Sequence, residues 1–308
     1  MTELPRLVVV LGPTASGKSA LGIALARELG GEVLVCDSTQ VYCHFDIGTA
    51  KVLPQDRGGI PHHLIDLVEP AELFTAGDYR RHALVALQEL KARSKVPVLT
   101  AGTGLYLRAI LEGLADAPTR SEKLRQRLRR RADGRNQQYL HRILKRIDPQ
   151  AADRIAPRDL QKTIRALEIR LLAGRSVAEV HGRGGEPLTG YKVIKIGLCP
   201  PRSQLYARIQ ARVDAMMAAG WLQEVRTLIA SGMAKDAKPF QFIGYAELKA
   251  HLEGEMSLEA ASAKTTQATR NLAKRQMTWF RKERKVSWLG CFGDDPEALA
   301  AALVLAKE

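Results

Sequence analysis

The 308-residue chain has no uninterrupted apolar run of about 18 residues, so no membrane-spanning helix is expected. Met1 to Arg6 lack the basic-then-apolar order of a secretory signal, which makes the cytoplasm the expected compartment. Cys36, Cys43, Cys199 and Cys291 are scattered with no C-x-x-C pair, and neither a zinc site nor a disulfide framework is suggested. Internal repeats and low-complexity tracts are absent. Two segments are poor in acid: residues 120–183 hold 18 Lys/Arg against 7 Asp/Glu, and residues 261–290 hold 8 against 1, within a chain of net charge +14. The remainder is slightly acidic. Positive charge confined to two segments points to an extended polyanion as partner, most simply a nucleic acid, and basic helix faces that are merely solvated are the plainer alternative.

What the chain does have is RLVVVL followed by GPTASGKS at residues 6–19, a short apolar run ending in G-x-x-x-x-G-K-[ST]. Leu7 to Leu11 have the length and β-branching of a buried parallel strand, and Ser19 to Gly30 the apolar spacing of a helix. The loop Gly12, Pro13, Thr14, Ala15, Ser16, Gly17, Lys18, Ser19 therefore joins a strand end to a helix N-terminus. Backbone N–H groups there point at an anion, Lys18 reaches its terminal oxygens and the Ser19 hydroxyl can hold Mg²⁺. The loop does not say which phosphate it holds, since a diphosphate satisfies it as well as ATP does.

Further along, Glu32 to Tyr42 reads as a second strand whose end delivers Asp37, Ser38 and Gln40 to the side where ligands collect in open α/β sheets. HHLIDLV begins another short strand, residues 75–93 form a helix capped by Thr75 or Asp78, and Val96 to Ile110 repeats the strand–glycine loop–helix pattern. From about Ala115 the pattern changes to helical spacing with no strand. The expected architecture is α/β, a P-loop doubly wound parallel sheet formed by residues 1–115 and 183–308, with residues 116–182 an all-helical insertion. Tyr191 to Pro200 is a strand rejoining the sheet, the rest is mostly helical, and Ser257 to Arg284 is the longest helix.

The strand VPVL runs into Thr100-Ala101-Gly102-Thr103 with no carboxylate, which disfavours a motor or switch ATPase, because such enzymes place an acid there to hold Mg²⁺. Asp37 lies where a transfer enzyme could hold a base; an aspartate in an Asx turn is the competing interpretation. Thr14 and Thr103 are expected as hydroxyl donors in two loops facing one phosphate site, favouring a diphosphate leaving group. His62 and His63 have no Cys or Glu at ligand spacing, so a packing or polar role is expected rather than a metal. Trp279 and Phe280 lie among Lys274, Arg275, Arg281, Lys282 and Arg284, and suit either RNA contact or docking of the helix on the sheet. A small-molecule kinase shares this core but leaves the basic insertion unexplained; a non-catalytic RNA-binding nucleotide sensor leaves Asp37 and Thr103 idle.

GPTASGKSALGIALA, DSTQVY followed by DIGTAK, PHHLID, FTAGDYRR, AGTGLYLRAI, the RALE of residues 165–168, IGYAEL and KRQMTWFRK occur in the order seen in bacterial tRNA dimethylallyltransferases, and the chain resembles that family from residue 6 to about 288. The resemblance implies transfer of a dimethylallyl group from dimethylallyl diphosphate to the exocyclic amine of the adenosine just 3′ of the anticodon in tRNA. It implies that Gly12 to Ser19 hold the diphosphate with Mg²⁺ and that Asp37 is the base. It places Ser38, Thr39 and Gln40 around the adenine, Thr103 at the reacting groups and Arg125 against tRNA. Gln161, Lys162, Thr163, Ile164 and Arg165 would belong to the tRNA-binding helical domain. A monomer is expected, with no membrane partner.

Overall fold

The computed structural model describes residues 4–182, 184–234 and 236–307. Met1, Glu3, Arg183 and Glu308, on which the expected start, insertion boundary and end fall, lie outside the described residues. The chain divides into two compact units, one of residues 1–110 and 189–308 and the other of residues 111–188.

In the first unit, β1 (Arg6–Leu11) runs through the phosphate loop into α1 (Lys18–Glu28), then β2 (Glu32–Cys36), β3 (His62–His63), α2 (Ala76–Ala92), β4 (Pro97–Ala101) and α3 (Gly104–Leu111). The second unit contains α4 (Glu122–Ala132), α5 (Tyr139–Ile147), α6 (Pro149–Arg154), α7 (Leu160–Ala173) and α8 (Val177–Gly182). The chain returns through β5 (Lys192–Leu198), α9 (Arg202–Ala218), α10 (Trp221–Ala230), α11 (Tyr245–Leu252), α12 (Leu258–Phe280), β6 (Val286–Leu289) and α13 (Pro296–Lys307).

Among the described residues six parallel strands form one sheet in the order β3-β2-β4-β1-β5-β6. Val8 and Val10 pack with Leu21 and Leu25 of α1 and with Ala298, Ala302 and Ala306 of α13. Leu7, Val9 and Leu11, which alternate to the other side of the pleat, are equally buried, so both faces are covered as in a doubly wound sheet. The chain first winds to one side of β1 and then to the other, and the carboxyl end of β1 is therefore the switch point where a ligand crevice opens. The phosphate loop occupies it.

The strand from Glu32 stops at Cys36 rather than Tyr42, because Asp37 folds its carboxylate onto Thr39. HHLIDLV yields only the two strand residues His62 and His63: Leu64 at φ 67° and Asp66 at φ 50° break the extended backbone. Thr75 caps α2, accepting from the Asp78 N–H while the Asp78 carboxylate accepts from the Thr75 N–H. The edge strand β6 was not expected in a region read as helical; its four residues are half-exposed and carry little apolar pattern.

The second unit is helical among its described residues, around Leu128, Leu140, Leu144, Ile164 and Leu167. Its compact boundary runs to residues 111–188 rather than 116–182. The reason is that its two ends meet: Leu188 N–H donates to Leu111 O at 3.0 Å, and Gly113 and Gly185 approach so closely that a Cβ on either would strike the other's backbone. Its charged centre is Glu168, which is fully buried. Glu168 accepts two hydrogen bonds from Arg125 at 3.0 and 2.7 Å, one from Arg165 at 2.6 Å and one from the Ser121 N–H at 2.7 Å. Burial raises its pKa, but these donors outweigh it and hold the carboxyl at about 2.

Candidate active site

A cavity of about 1020 Å³ opens at the carboxyl end of β1 and is lined by the phosphate loop from Thr14 to Ser19. Asp37, Thr39 and Gln40 from the turn after β2, Gly102 after β4, and the DIGTAK segment also line it. From the other side come Arg208 and Arg212 of α9 and Gln276 of α12. The same cavity has an apolar part that includes Ile209, Val213, Met216, Trp221 and Phe242.

At the polar end Gly17 adopts φ 86° where α1 begins, and a Cβ there would lie 2.5 Å from Asp294 and 2.6 Å from the Gly293 nitrogen, so the tight turn has no room for a side chain. Lys18 folds back, its Nζ donating to Pro13 O at 2.7 Å. Burial lowers its pKa to about 8, Asp37 raises it and Arg212 lowers it further. Burial also lowers the pKa of Arg212, which has no ion pair in contact with it among the described residues and feels Asp37 as its favourable charge. Arg208 is instead held by Asp294, donating from Nη1 to Oδ1 at 2.8 Å and from Nη2 to Oδ2, with its guanidinium 4.4 Å from the Phe292 ring centroid. Two half-buried, desolvated cations that both feel the charge of Asp37 form an electropositive site suited to a polyanionic ligand.

Asp37 divides its two oxygens. Oδ1 accepts from Thr39 N–H at 2.9 Å and from Thr39 Oγ1 at 2.7 Å, while Oδ2 has no hydrogen-bond partner among the described residues and lies over Gly102, 2.7 Å from where a Cβ would be. The Asx turn and an available carboxylate oxygen thus coexist. Gly102 is required here, since any side chain would displace that oxygen. The DIGTAK loop is pinned by Glu224 and by its own Lys51: Glu224 accepts from Ile47 N–H at 2.9 Å and Asp46 N–H at 3.2 Å, and Lys51, almost fully buried, donates to Asp46 at 2.7 Å and Asp66 at 2.5 Å.

Residues 40–283 match the family model described as IPP transferase. The chain belongs to that family. It is 48% identical over 297 residues to the tRNA dimethylallyltransferase of Solibacter usitatus, covering 96% of both chains, and 46% identical over 303 residues to that of Koribacter versatilis, covering 98% of both. Among solved structures it is similar to the full-length tRNA isopentenylpyrophosphate transferase of Bacillus halodurans, with TM-score 0.71 and 36% identity over 98% of this chain and 94% of that one. It is also similar to a eukaryotic dimethylallyltransferase captured acting on tRNA, with TM-score 0.78 and 26% identity over 93% of this chain and 74% of that one.

Within this family frame the expected site residues separate. Thr14 to Ser19, Asp37, Thr39 and Gln40 line one cavity, whereas Gly12 and Pro13 are buried and do not line it. Gln40 also holds the DIGTAK loop, donating from Nε2 to Thr49 O at 3.1 Å. Thr103 and Ser38 do not line the cavity. The Thr103 hydroxyl accepts from Ser38 N–H at 3.0 Å and donates to Ser38 Oγ at 3.2 Å, so it is turned onto Ser38, whereas it was expected to face one phosphate site together with Thr14.

Of the stretch Gln161 to Arg165, Thr163 and Ile164 are buried in their helical unit and are unavailable to RNA; Gln161 and Lys162 are exposed. Arg125 and Arg165 are engaged by Glu168. Phe280 is buried, which favours docking of its helix, while Trp279 remains partly exposed against Gly104 with Arg108 5.0 Å from its ring. The histidine pair makes polar contacts, His63 with Glu32 at 2.6 Å and His62 with Ile60 O at 2.9 Å. Arg208, Arg212 and Gln276 were not anticipated. Each is a single polar residue on an ordinary helix, and only the helical spacing that turns Arg208 and Arg212 to one face hinted at a shared direction.

Proposed function

We propose that this chain transfers a dimethylallyl group from dimethylallyl diphosphate to the exocyclic amine of the adenosine immediately 3′ of the anticodon in tRNA, giving isopentenyladenosine and diphosphate. The observation that carries this reading is that one cavity joins a phosphate loop with Lys18 and Arg212 to an aspartate with one unengaged carboxylate oxygen and to an apolar wall. A charged leaving group, a base and a hydrocarbon each find a matching surface there.

In the proposed reaction the loop N–H groups of Ala15, Gly17, Lys18 and Ser19, with the Lys18 and Arg212 side chains, bind the diphosphate and neutralise the charge that grows on it as the allylic C–O bond breaks. The amine nitrogen forms the new N–C bond, and its surplus proton passes to Asp37 Oδ2. An adenine amine is a weak nucleophile because its lone pair is delocalised, so such a base is worth about 10²–10⁴-fold. Thr39 and Gln40 border the space for the base, which must leave its stack to enter. Thr103 acts by fixing Ser38 and hence the turn that aims Asp37.

Mg²⁺ fits the donor set: the Ser19 hydroxyl is exposed with no hydrogen-bond partner among the described residues, and this ion is commonly held by one or two protein oxygens plus substrate phosphates and water. When bound it would supply further neutralisation of the diphosphate. Exposed arginines of the helical unit and the basic half of α12 would bind the tRNA backbone.

Nucleoside mass spectrometry of unmodified tRNA incubated with the protein, Mg²⁺ and dimethylallyl diphosphate tests the reading. Isopentenyladenosine at the position 3′ of the anticodon, lost in Asp37→Asn, is the expected result. Unmodified tRNA together with phosphoryl transfer from ATP to a small acceptor would favour the kinase instead.

A further inference from the structure

The side chain of Gln276 is buried at the heart of the cavity wall, only 9% exposed, and both ends of its amide are used. Oε1 accepts from the Thr14 N–H at 2.8 Å, and Nε2 donates to Gly102 O at 2.8 Å. Thr14 belongs to the phosphate loop. Gly102 lies beneath Asp37 Oδ2, and the N–H groups of Gly102 and Thr103 each donate to Cys36 O at 3.0 Å, the residue before Asp37. One amide from α12 therefore bridges the loop that grips an anion and the loop that lies beneath the carboxylate, two segments that β1 and β4 bring side by side and that no other side-chain hydrogen bond joins among the described residues.

We propose that Gln276 is a positioning residue that sets the distance between the diphosphate cradle and the Asp37 carboxylate, so that bond breaking on one side and proton removal on the other share one register. A side-chain amide is suited to this, because it accepts at one end and donates at the other without adding charge beside a diphosphate. The bridge also occupies a loop N–H, restricting the loop before substrate arrives. Misplacement of reacting groups by about 1 Å is enough to cost about 10²-fold in rate.

The inference rests on the proposed transfer reaction, and its test uses steady-state kinetics with dimethylallyl diphosphate and tRNA. Gln276→Met keeps the length and removes both hydrogen bonds. It is expected to lower kcat by roughly 10- to 100-fold while the KM for tRNA and for the diphosphate changes by less than about threefold, with thermal melting still above the assay temperature.

Gln276→Glu is the second variant: its carboxylate still accepts from Thr14 N–H but opposes Gly102 O, and only the protonated acid restores the donor. Lys18, Arg212 and Asp37 line the same cavity in both proteins, so the pH series is read as the ratio of variant to parent kcat. That ratio is expected to rise as pH falls. A Gln276→Met kcat within twofold of the parent, a loss that follows unfolding, or a flat Gln276→Glu ratio would overturn the inference. Absence of turnover in the parent itself would instead overturn the proposed reaction.

Discussion

The two units use charge in opposite ways. In the sheet unit, burial pushes the pKa of Lys18 down to about 8 and that of Arg212 down as well, so these cations have lost water without gaining a full set of anionic partners. In the helical unit, Arg125 and Arg165 close on Glu168 and hold its pKa at about 2, an internally satisfied cluster. A desolvated cation without an anionic partner is a preformed site for an anion, whereas a satisfied one is part of the scaffold. The helical unit keeps its open charge elsewhere: Arg142 and Arg146 are exposed on one face of α5 beside Arg135, whose guanidinium lies 4.4 Å from the Tyr139 ring, and none of the three has an ion pair among the described residues.

The sharpest break between the units lies in the chemistry. Asp37→Asn should reduce transfer by about 10²–10⁴-fold with tRNA affinity nearly unchanged, and Lys18→Ala should weaken diphosphate binding as well as turnover. Single-turnover kinetics alongside equilibrium binding separates the two, and normal turnover in either variant removes that residue from the site.

Glu168→Ala should act on the other unit alone, destabilising it by about 3–5 kcal/mol because two arginines lose their buried partner, while diphosphate binding changes less than about twofold. The pH sign follows from the depressed pKa. The contribution of Glu168 is full above its ordinary value of 4.5 and is lost as pH falls towards about 2, so Glu168→Gln should flatten the acid limb of stability between those values. Acid titration followed by circular dichroism checks this, and an unchanged limb would refute it.

Diphosphate affinity should fall as pH rises through about 8, where Lys18 loses its proton in the free protein. Asp37 raises that pKa, so Asp37→Asn should move the midpoint lower, and Arg212→Ala should move it higher. Calorimetric titration of diphosphate across pH 7–10 distinguishes the shifts; identical midpoints in all three proteins would mean that Lys18 is not the titrating group.

The smallest effects concern the open arginines. Arg142→Ala and Arg146→Ala should each lower tRNA affinity modestly and reduce the log–log salt slope by about 0.7–0.9 if one phosphate contact is lost. Arg125→Ala should instead lower stability first. Titrating tRNA at two salt concentrations, with melting curves for each variant, separates exposed arginines from clamped ones.

The phosphate loop was legible because all its chemistry is local: strand, glycines, Lys18 and helix start lie within fourteen residues. Asp37 was legible for the same reason, as a strand-end carboxylate. The clamped role of Arg125 and Arg165 was not, since a basic count assigns every arginine to the surface until its partner is known. Thr163 and Ile164 could not be separated from Gln161 and Lys162 without knowing which side of α7 faces the core.

The sequence by itself determined the alternation of strand and helix, the switch to helical spacing after Ala115 and the anion-binding loop, because hydrophobic period and backbone conformation are set by near neighbours. Only the tertiary structure decided which charges are open and which are closed. It brought Gln276 to Thr14 across 262 residues, seated Arg208 and Arg212 opposite a loop from the other end of the chain, and turned Thr103 onto Ser38. Those outcomes depend on distance in space and on burial, and a buried charge or amide takes its character from whatever the fold places beside it.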